Sequence, residues 1–217
     1  MAKGVKLGSP VERVPEIIRK LKKAYPDAKV ELDFKTPLEL LVASILSAQC
    51  TDAKVNEITP ALFKKYPSAK AYAKASTSEL ERMIRPTGFY KNKARSIQNC
   101  CTQLAMEYGG RVPEDMDDLT KLAGVGRKTA NLVRGHAFDK PAIICDTHVL
   151  RVSERLGLTK NKKPDKVEED LSAIVPKHLW TDYSTCIVWH GRRCCFARNP
   201  SCASCTVREL CPFADSV

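Results

Sequence analysis

The chain has 217 residues, with 36 lysines and arginines against 25 aspartates and glutamates, which gives a formal net charge of +11 at pH 7. This length allows one large domain or two small ones, and the positive charge favours a polyanionic partner, nucleic acid before a membrane surface. No apolar run reaches the roughly 18 residues of a membrane span, and no secretion signal is recognisable at the start. We therefore exclude a membrane-spanning protein and expect a cytoplasmic, nucleoid-associated one.

Apolar periodicity predicts helices along nearly the whole chain. Ser9-Pro10 and Thr36-Pro37 are typical helix starts, with a capping hydroxyl followed by proline at the first helical position. Helices are predicted over Ser9 to Tyr25, Thr36 to Leu46, Thr51 to Tyr66, Ser68 to Ala75, Ser78 to Arg85, Lys91 to Tyr108, Asp117 to Leu122, Lys128 to Gly135, Thr147 to Leu156, Pro164 to Val175 and Leu179 to Gly191.

Two segments are less regular. Pro60 lies inside the third predicted helix and is expected to kink or break it, because proline lacks the backbone donor that a helix interior needs. Ala142 to Cys145 is a short apolar run and could form a strand. With no other strand pattern along the chain, the predicted fold class is all-α.

A glycine-rich turn separates two of the predicted helices. It reads Leu122-Ala123-Gly124-Val125-Gly126 and is followed by Arg127. Two glycines can aim successive amides at one anion, and the next helix start adds unpaired amides and partial positive charge. We expect Val125 to point inward. The pattern fits a phosphate site that reads no base sequence, and it fits equally an ordinary tight helical hairpin.

Two further residues could carry chemistry. Lys128 falls in the first turn of the helix after the glycines, where a partly neutral amine could act as a nucleophile and form a Schiff base. The alternative is a surface lysine or a plain phosphate contact. Asp146 follows the apolar run and precedes a predicted helix, so it could be a helix N-cap, a carboxylate presented at a cleft, or both.

The end of the chain is rich in cysteine. Of the ten cysteines, five lie between Cys194 and Cys211. Without a secretion signal, such a cluster indicates metal binding rather than disulfides. The ligand candidates Cys195, Cys202, Cys205 and Cys211 have unequal spacing, which favours an iron–sulfur cluster, with structural zinc as the alternative. Cys194 has no assigned place among the four.

Together these motifs resemble endonuclease III, a family of DNA glycosylases with AP lyase activity in the helix-hairpin-helix superfamily. The resemblance runs from about residue 12 to 213, with the motifs in the family's order. They are Leu46-Ser47-Ala48-Gln49-Cys50-Thr51-Asp52, Gly88-Phe89-Tyr90-Lys91-Asn92-Lys93-Ala94, Leu122 to Val133, Cys145-Asp146-Thr147-His148 and the cysteine cluster.

The resemblance implies a helix-hairpin-helix glycosylase fold with two all-α domains. A six-helix barrel would span residues 30–140 and carry the hairpin at about 116–135. A helical iron–sulfur domain would form from residues 1–29 and 141–217, with its cluster loop at 195–211. The four candidate cysteines would then hold a [4Fe-4S] cluster, and a monomer would act on double-stranded DNA.

The resemblance also implies a reaction on oxidised pyrimidines. The damaged nucleotide leaves the base stack, Lys128 attacks C1′, and the base departs. Asp146 would stabilise the cationic sugar and handle the lysine proton. The resulting Schiff base would permit β-elimination, which cuts the strand 3′ to the abasic site. Gln49 would enter the gap left by the extruded base, and Phe89 would act as a wedge against the opposite strand. Without the family, a helix-end glutamine and a core phenylalanine would be the simpler interpretations.

The chain departs from the family pattern at two positions, and two other functions are compatible with parts of the sequence. Ala123 stands where the family usually has proline, and Phe89 is bulkier than the usual leucine. A monofunctional adenine mismatch glycosylase would need a glutamate where this chain has Ala43, and it lacks the nucleophilic lysine. A non-catalytic helix-hairpin-helix protein with a structural metal would need neither Lys128 nor Asp146.

Overall fold

The computed structural model describes residues 7–216, and within that range the secondary structure consists of α-helices and short 3₁₀ turns, without a strand. The α-helices are α1 (Pro10–Ala24), α2 (Pro37–Leu46), α3 (Asp52–Lys65), α4 (Ala69–Ala73), α5 (Thr77–Ile84), α6 (Tyr90–Glu107), α7 (Met116–Lys121), α8 (Arg127–Ala137), α9 (Thr147–Arg155), α10 (Pro164–Ile174) and α11 (Trp180–Arg193). The predicted all-α class is therefore confirmed.

The chain divides into two compact units. The central unit comprises Val30–Lys140, and the terminal unit comprises Met1–Lys29 and Pro141–Val217. The central unit contains six helices of at least six residues, together with the five-residue α4. The terminal unit contains α1, α9, α10 and α11 and the cysteine-rich segment.

The helix starts predicted from capping residues are present. The Ser9 hydroxyl accepts from the Glu12 amide at 3.4 Å, while the Glu12 carboxylate accepts from the Ser9 amide at 2.7 Å. The Thr36 hydroxyl accepts from the Glu39 amide at 3.2 Å. These bonds satisfy amides that the first helical turn leaves unpaired, which is why the helices begin there.

The core of the central unit surrounds α2. This helix is apolar on nearly every side, and all residues from Leu40 to Leu46 are buried. It packs against α3, α6 and α8, which cover its residues from Leu40 onward. A helix that is apolar all round is the pattern expected of an element at the centre of a helical unit.

The terminal unit has its own core, formed where α1 and α9 pack against α11. Val14, Ile17 and Leu21 recur at helical spacing on α1 and are fully buried. Tyr183 of α11 is also fully buried, and its hydroxyl pairs with Ser153 at 2.7 Å.

The apolar run from Ala142 to Cys145, which could have formed a strand, does not form one. The Ala142 amide donates to the Thr181 hydroxyl at 3.3 Å, and the Ile144 amide donates to the Ser184 hydroxyl at 2.9 Å. Both hydroxyls lie on α11, so these amides are bonded to a helix rather than to another strand.

Of the two outcomes predicted at Pro60, a kink or a break, the break does not occur, since α3 continues through Pro60 to Lys65. Pro60 is exposed, and a carbonyl that loses its helical donor at an exposed position can bond to water instead.

Among residues 7–216, no helix is long and apolar enough to cross a membrane.

Candidate functional site

The glycine-rich turn joins α7 to α8 within the central unit. The Val125 amide donates to the Leu122 carbonyl at 3.1 Å, which closes the turn, and both side chains are buried. Val125 therefore points inward, as predicted. Gly126 is the N-cap of α8 and provides no side-chain cap. No side chain therefore caps the start of α8, and uncapped helix starts of this kind are typical anion sites.

The two glycines meet different constraints. Gly124 has a φ of +77°, and a Cβ added there would lie 2.8 Å from the Cβ of Ser96 on α6. Only glycine fits this conformation and this close approach. Around Gly126, by contrast, an added Cβ would meet no described atom within 4 Å. The fold itself therefore requires glycine at 124 and leaves open space at 126.

The side chain of Gln103, on α6, forms hydrogen bonds to the backbone of the turn. The Gln103 carbonyl oxygen accepts from the Ala123 amide at 2.8 Å, and its amide donates to the Lys121 carbonyl at 3.4 Å. A proline at position 123 would have no amide to donate. Gln103 thus holds the turn at the point where the chain departs from the family pattern.

Lys128 is the second residue of α8, and its side chain is exposed. Arg127 precedes it and is exposed as well. The hairpin therefore presents one candidate nucleophile and a second cation at a helix start whose amides are uncapped, an arrangement suited to a phosphodiester backbone.

Two other turns of the central unit present the side chains of Gln49 and Phe89. Gln49 lies between α2 and α3 with a φ of +54°, and Phe89 precedes α6 with a φ of +47°. Both side chains are exposed, Phe89 to 63%. A non-glycine residue in the left-handed region costs on the order of 1 kcal/mol, and such residues are concentrated at functional sites.

Lys93 connects these two turns. Its ammonium donates to the Leu46 carbonyl at 2.7 Å and to the Thr87 carbonyl at 2.8 Å. The residue is only 5% exposed, and burial lowers the pKa of its ammonium below the usual range.

Asp146 is the N-cap of α9 in the terminal unit. One of its carboxylate oxygens accepts from the amides of His148 and Val149, each at 2.8 Å. The side chain is half-buried. The capping interpretation therefore holds, and the second carboxylate oxygen makes neither of these two bonds. His148 follows in the first turn of α9, and burial lowers the pKa of its imidazole.

The cysteine-rich segment encloses a cavity in the terminal unit. The cavity contains about 350 Å³ of space not filled by atoms, part of it open to solvent. All four predicted ligands line it, together with Cys194 and His190, and apolar residues such as Val152 and Leu156 complete the wall. The spacing pattern therefore converges on one site, although the segment itself contains only 3₁₀ turns.

Arginine side chains hold this segment in place. Arg155 donates to the Cys195 sulfur at 3.3 Å and to the carbonyls of Phe196 and Ala197 at 2.6 and 3.0 Å. Arg151 donates to the Cys195 carbonyl at 3.1 Å. A segment with little regular structure leaves many carbonyls unpaired, and the guanidinium groups satisfy several of them.

His190 lies behind the cysteines and is 2% exposed. Its Nε2 is 3.6 Å from the Cys205 sulfur, and its Nδ1 is 3.1 Å from the Tyr25 hydroxyl. Burial lowers the pKa of His190 to about 4 and raises the pKa of the Cys205 thiol to about 12. The ligand atoms of His190, Cys194 and Cys205 lie within 4.8 Å of one another, a spacing at which these three side chains could hold a metal ion.

The predicted residues thus fall into two sets. The hairpin, Lys128, Gln49 and Phe89 belong to the central unit, and Asp146 and the cysteines belong to the terminal unit. Sequence reasoning missed Lys93, Gln103 and His190, because nothing local distinguishes a buried polar residue from an exposed one. For Lys93, its place inside the Gly88-to-Ala94 motif was the one available signal.

Comparisons with known proteins give a consistent result. Residues 42–177 match the family model of the HhH-GPD superfamily base excision DNA repair protein. The chain is 49% identical to endonuclease III of Synechocystis sp., over 97% of each chain, and 44% identical to endonuclease III of Bacillus subtilis, over 93% of this chain and 92% of the relative. A solved structure of a trapped endonuclease III–DNA covalent intermediate, an estranged-adenine complex, superimposes with a TM-score of 0.90 at 44% identity, covering 95% of this chain and 97% of the other.

Proposed function

The chain belongs to the HhH-GPD superfamily of base excision DNA repair proteins, and from this premise we propose that Lys128 and Asp146 carry out an endonuclease III reaction. The protein is a bifunctional enzyme, a DNA glycosylase with AP lyase activity, and it acts on double-stranded DNA as a monomer. Its proposed place of action is chromosomal DNA in the cytoplasm.

The similarity to a protein trapped as a covalent DNA intermediate carries this conclusion. A covalent intermediate requires a nucleophile, and an exposed lysine follows directly on the uncapped start of α8. An amine attached there can reach a deoxyribose whose flanking phosphates are bound by the hairpin amides.

In the proposed reaction, the Lys128 amine gives up a proton and attacks C1′ of the extruded nucleotide. The bond to the damaged base breaks, and the base leaves with the bonding electrons. The lysine nitrogen, now bonded to C1′, gives up a further proton, and its lone pair breaks the C1′–O4′ bond, so that an imine forms and O4′ takes up the proton. The imine, once protonated, acidifies the C2′ proton, whose loss expels the 3′ phosphate by β-elimination. Asp146 accepts the lysine proton and stabilises the cationic sugar with the carboxylate oxygen that does not cap α9. The proposal requires both residues to reach the same deoxyribose.

The remaining central-unit residues position the DNA. Gly124, Val125, Gly126 and Arg127 form the phosphate-binding hairpin. Gln49 fills the gap left by the extruded nucleotide, and Phe89 separates the opposite strand. The exposure of both side chains on strained turns supports this assignment, because an inserted wedge offsets part of the cost of unstacking. The proposed substrates are duplexes that contain oxidised pyrimidines or abasic sites.

We further propose that Cys195, Cys202, Cys205 and Cys211 hold a [4Fe-4S] cluster. A closed zinc site would bring four sulfurs within about 3.8 Å of one another. Within the described residues, the group of ligand atoms that lie within 4.8 Å of one another is that of His190, Cys194 and Cys205, while the four candidate ligands line a larger cavity. This arrangement suits a multi-atom cluster, which would order the loop that holds it. Metal binding also compensates the burial of the thiolates.

Trapping with borohydride tests the proposed function. The protein is mixed with a duplex that carries one thymine glycol, borohydride is added, and covalent adducts are resolved on a denaturing gel. We expect an adduct with the wild-type protein and none with Lys128→Gln. Lys121→Gln, which changes an exposed lysine on the other arm of the hairpin, serves as the matched control and should be trapped normally.

If the protein binds the duplex tightly but forms no adduct, the lyase assignment is wrong. The result would then favour the non-catalytic DNA-binding alternative. The adenine mismatch alternative is not favoured, because Ala43 is fully buried in α2 and offers no carboxylate.

A further inference from the structure

Lys93 is a buried cation that the proposed reaction leaves without a role. It lies in the first turns of α6, 5% exposed, and its ammonium is directed at two carbonyls from other segments of the central unit. Burying a lysine is unfavourable, so a lysine is retained in such a place only when its hydrogen bonds provide something that an apolar residue would not.

The two acceptors identify what those bonds provide. The Leu46 carbonyl belongs to the last residue of α2, three positions before Gln49, and the Thr87 carbonyl lies two positions before Phe89. Carbonyls at the end of a helix have no helical donor, and a cation there is favoured by the helix dipole. One ammonium therefore donates to a carbonyl in each segment, shortly before the chain reaches the exposed side chains of Gln49 and Phe89.

Both turns need such support, because each contains a non-glycine residue with positive φ. A strained conformation persists only when the surrounding structure enforces it. Within the Gln49 turn, the Cys50 amide donates to Ser47 at 3.1 Å, and before the Phe89 turn the Thr87 hydroxyl donates to Ile84 at 2.8 Å. These bonds are local to each turn, whereas Lys93 bonds to both segments at once.

We propose that Lys93 is a positioning residue that couples the Gln49 turn to the Phe89 turn, so that the gap-filling side chain and the wedge enter the duplex in a fixed mutual register. The inference rests on the proposed function, because it assigns Lys93 to the base-extrusion step of that reaction. The chemical step at Lys128 does not depend on it directly.

A duplex with a tetrahydrofuran abasic analogue opposite 2-aminopurine provides the test, because the analogue is not cleaved and 2-aminopurine fluoresces when it is unstacked. With wild-type protein, saturating binding should raise the fluorescence. Lys93→Met removes the donors at similar side-chain length. We expect it to bind this duplex within a few-fold of wild type, yet to lose most of the fluorescence increase at saturation. Base removal from a thymine glycol duplex should slow by about tenfold or more, since small misplacements of positioning groups have effects of this size.

Two further variants separate positioning from stability. Leu104→Ala removes a fully buried side chain from the same helix, several turns away, and should lower the melting temperature while keeping the fluorescence signal. Lys93→Gln retains amide donors and should restore part of the signal that Lys93→Met loses.

The outcomes distinguish the inference from the proposed function. If the complex of Lys93→Met shows the full fluorescence increase at saturation, the coupling is refuted. If Leu104→Ala and Lys93→Met lose the fluorescence increase to the same extent, the role of Lys93 is purely structural. Failure of the wild-type protein to form a borohydride adduct would instead overturn the proposed function, whatever Lys93 does. If Lys93→Met does not fold, Lys93→Gln is compared with wild type directly: a reduced fluorescence increase at saturation supports the coupling, and the full increase refutes it.

Discussion

Asp146 combines a structural role with a proposed catalytic one, and substitution can separate the two. Its carboxylate caps α9 through two amides, and asparagine caps helices as well as aspartate does. We expect Asp146→Asn to keep the free energy of unfolding while glycosylase activity falls about 100-fold or more, the effect of losing an acid–base group. Asp146→Ala should also lower the free energy of unfolding by about 1 kcal/mol. Denaturant unfolding and single-turnover kinetics measure the two effects.

Asp115 provides the matched control for the Asp146→Asn substitution. It caps α7 by accepting from the Asp117 amide at 2.8 Å, and Asp115→Asn should leave both stability and activity unchanged. A fully active Asp146→Asn variant would limit Asp146 to its capping role.

Residues with a local signature could be found from the sequence, and those defined by burial could not. The cysteines stand in a recognisable spacing pattern, and the four candidate ligands line one cavity, whereas Lys128 was singled out by the family resemblance. Lys93 and His190 are buried polar residues whose partners lie far along the chain, Leu46 for Lys93 and Tyr25 for His190. No local pattern reports a contact of that kind.

At the scale of the element, the hairpin between α7 and α8 gives a prediction that distinguishes its two glycines. Gly124→Ala forces a side chain into a left-handed conformation and against Ser96. It should lower the free energy of unfolding by more than about 1 kcal/mol. Gly126→Ala meets no described atom, so its stability should match wild type. Its DNA affinity should fall, and by equal factors for damaged and undamaged duplexes, because a phosphate contact carries no sequence information.

Equilibrium unfolding and fluorescence anisotropy check this pair. Wild-type affinity in Gly126→Ala would show that the hairpin backbone does not approach the phosphates, and the hairpin would then be a structural connection alone.

Helices were predictable where their signals are local. Ser9 and Thr36 accept from amides three residues further on, so the start of each helix is contained in a few residues. The segment from Ala142 to Cys145 was not, because its donors bond to hydroxyls 39 and 40 residues further along the chain. An apolar run of this length is compatible with a strand, and the sequence does not show that its amides bond to side chains of a helix.

At the scale of the whole molecule, long-range bonds join the two ends of the chain in the terminal unit. The Arg13 guanidinium donates to the Leu156 carbonyl at 2.8 Å and to the Leu210 carbonyl at 2.6 Å, the latter across 197 positions of sequence. Lys22 of α1 also forms an ion pair with Asp182 of α11. These contacts explain why the first helix belongs with the cysteine-rich segment, an arrangement that only the family resemblance predicted.

The proposed cluster should stabilise one unit selectively. The core of the central unit draws all its buried members from residues 32–133, so it is complete without the cysteine-rich segment. The cysteine-rich segment contains 3₁₀ turns and no α-helix, and arginine side chains bind several of its carbonyls. After oxidative removal of the cluster, we expect faster hydrogen exchange in residues 194–214 and around Leu156, while α2 and α6 keep their protection. Loss of visible absorbance confirms the removal, and mass spectrometry follows the exchange.

Cys205→Ser and Cys186→Ser extend this test to the ligands. Cys186 is buried in α11 outside the cluster cavity, so its substitution should leave both the absorbance and the exchange pattern unchanged. Cys205→Ser should reproduce the exchange pattern of the cluster-free protein, because one missing ligand weakens the same segment. Equal acceleration across both units, or none in residues 194–214, would contradict a local ordering role, since ligand binding stabilises the part of the fold that forms the site.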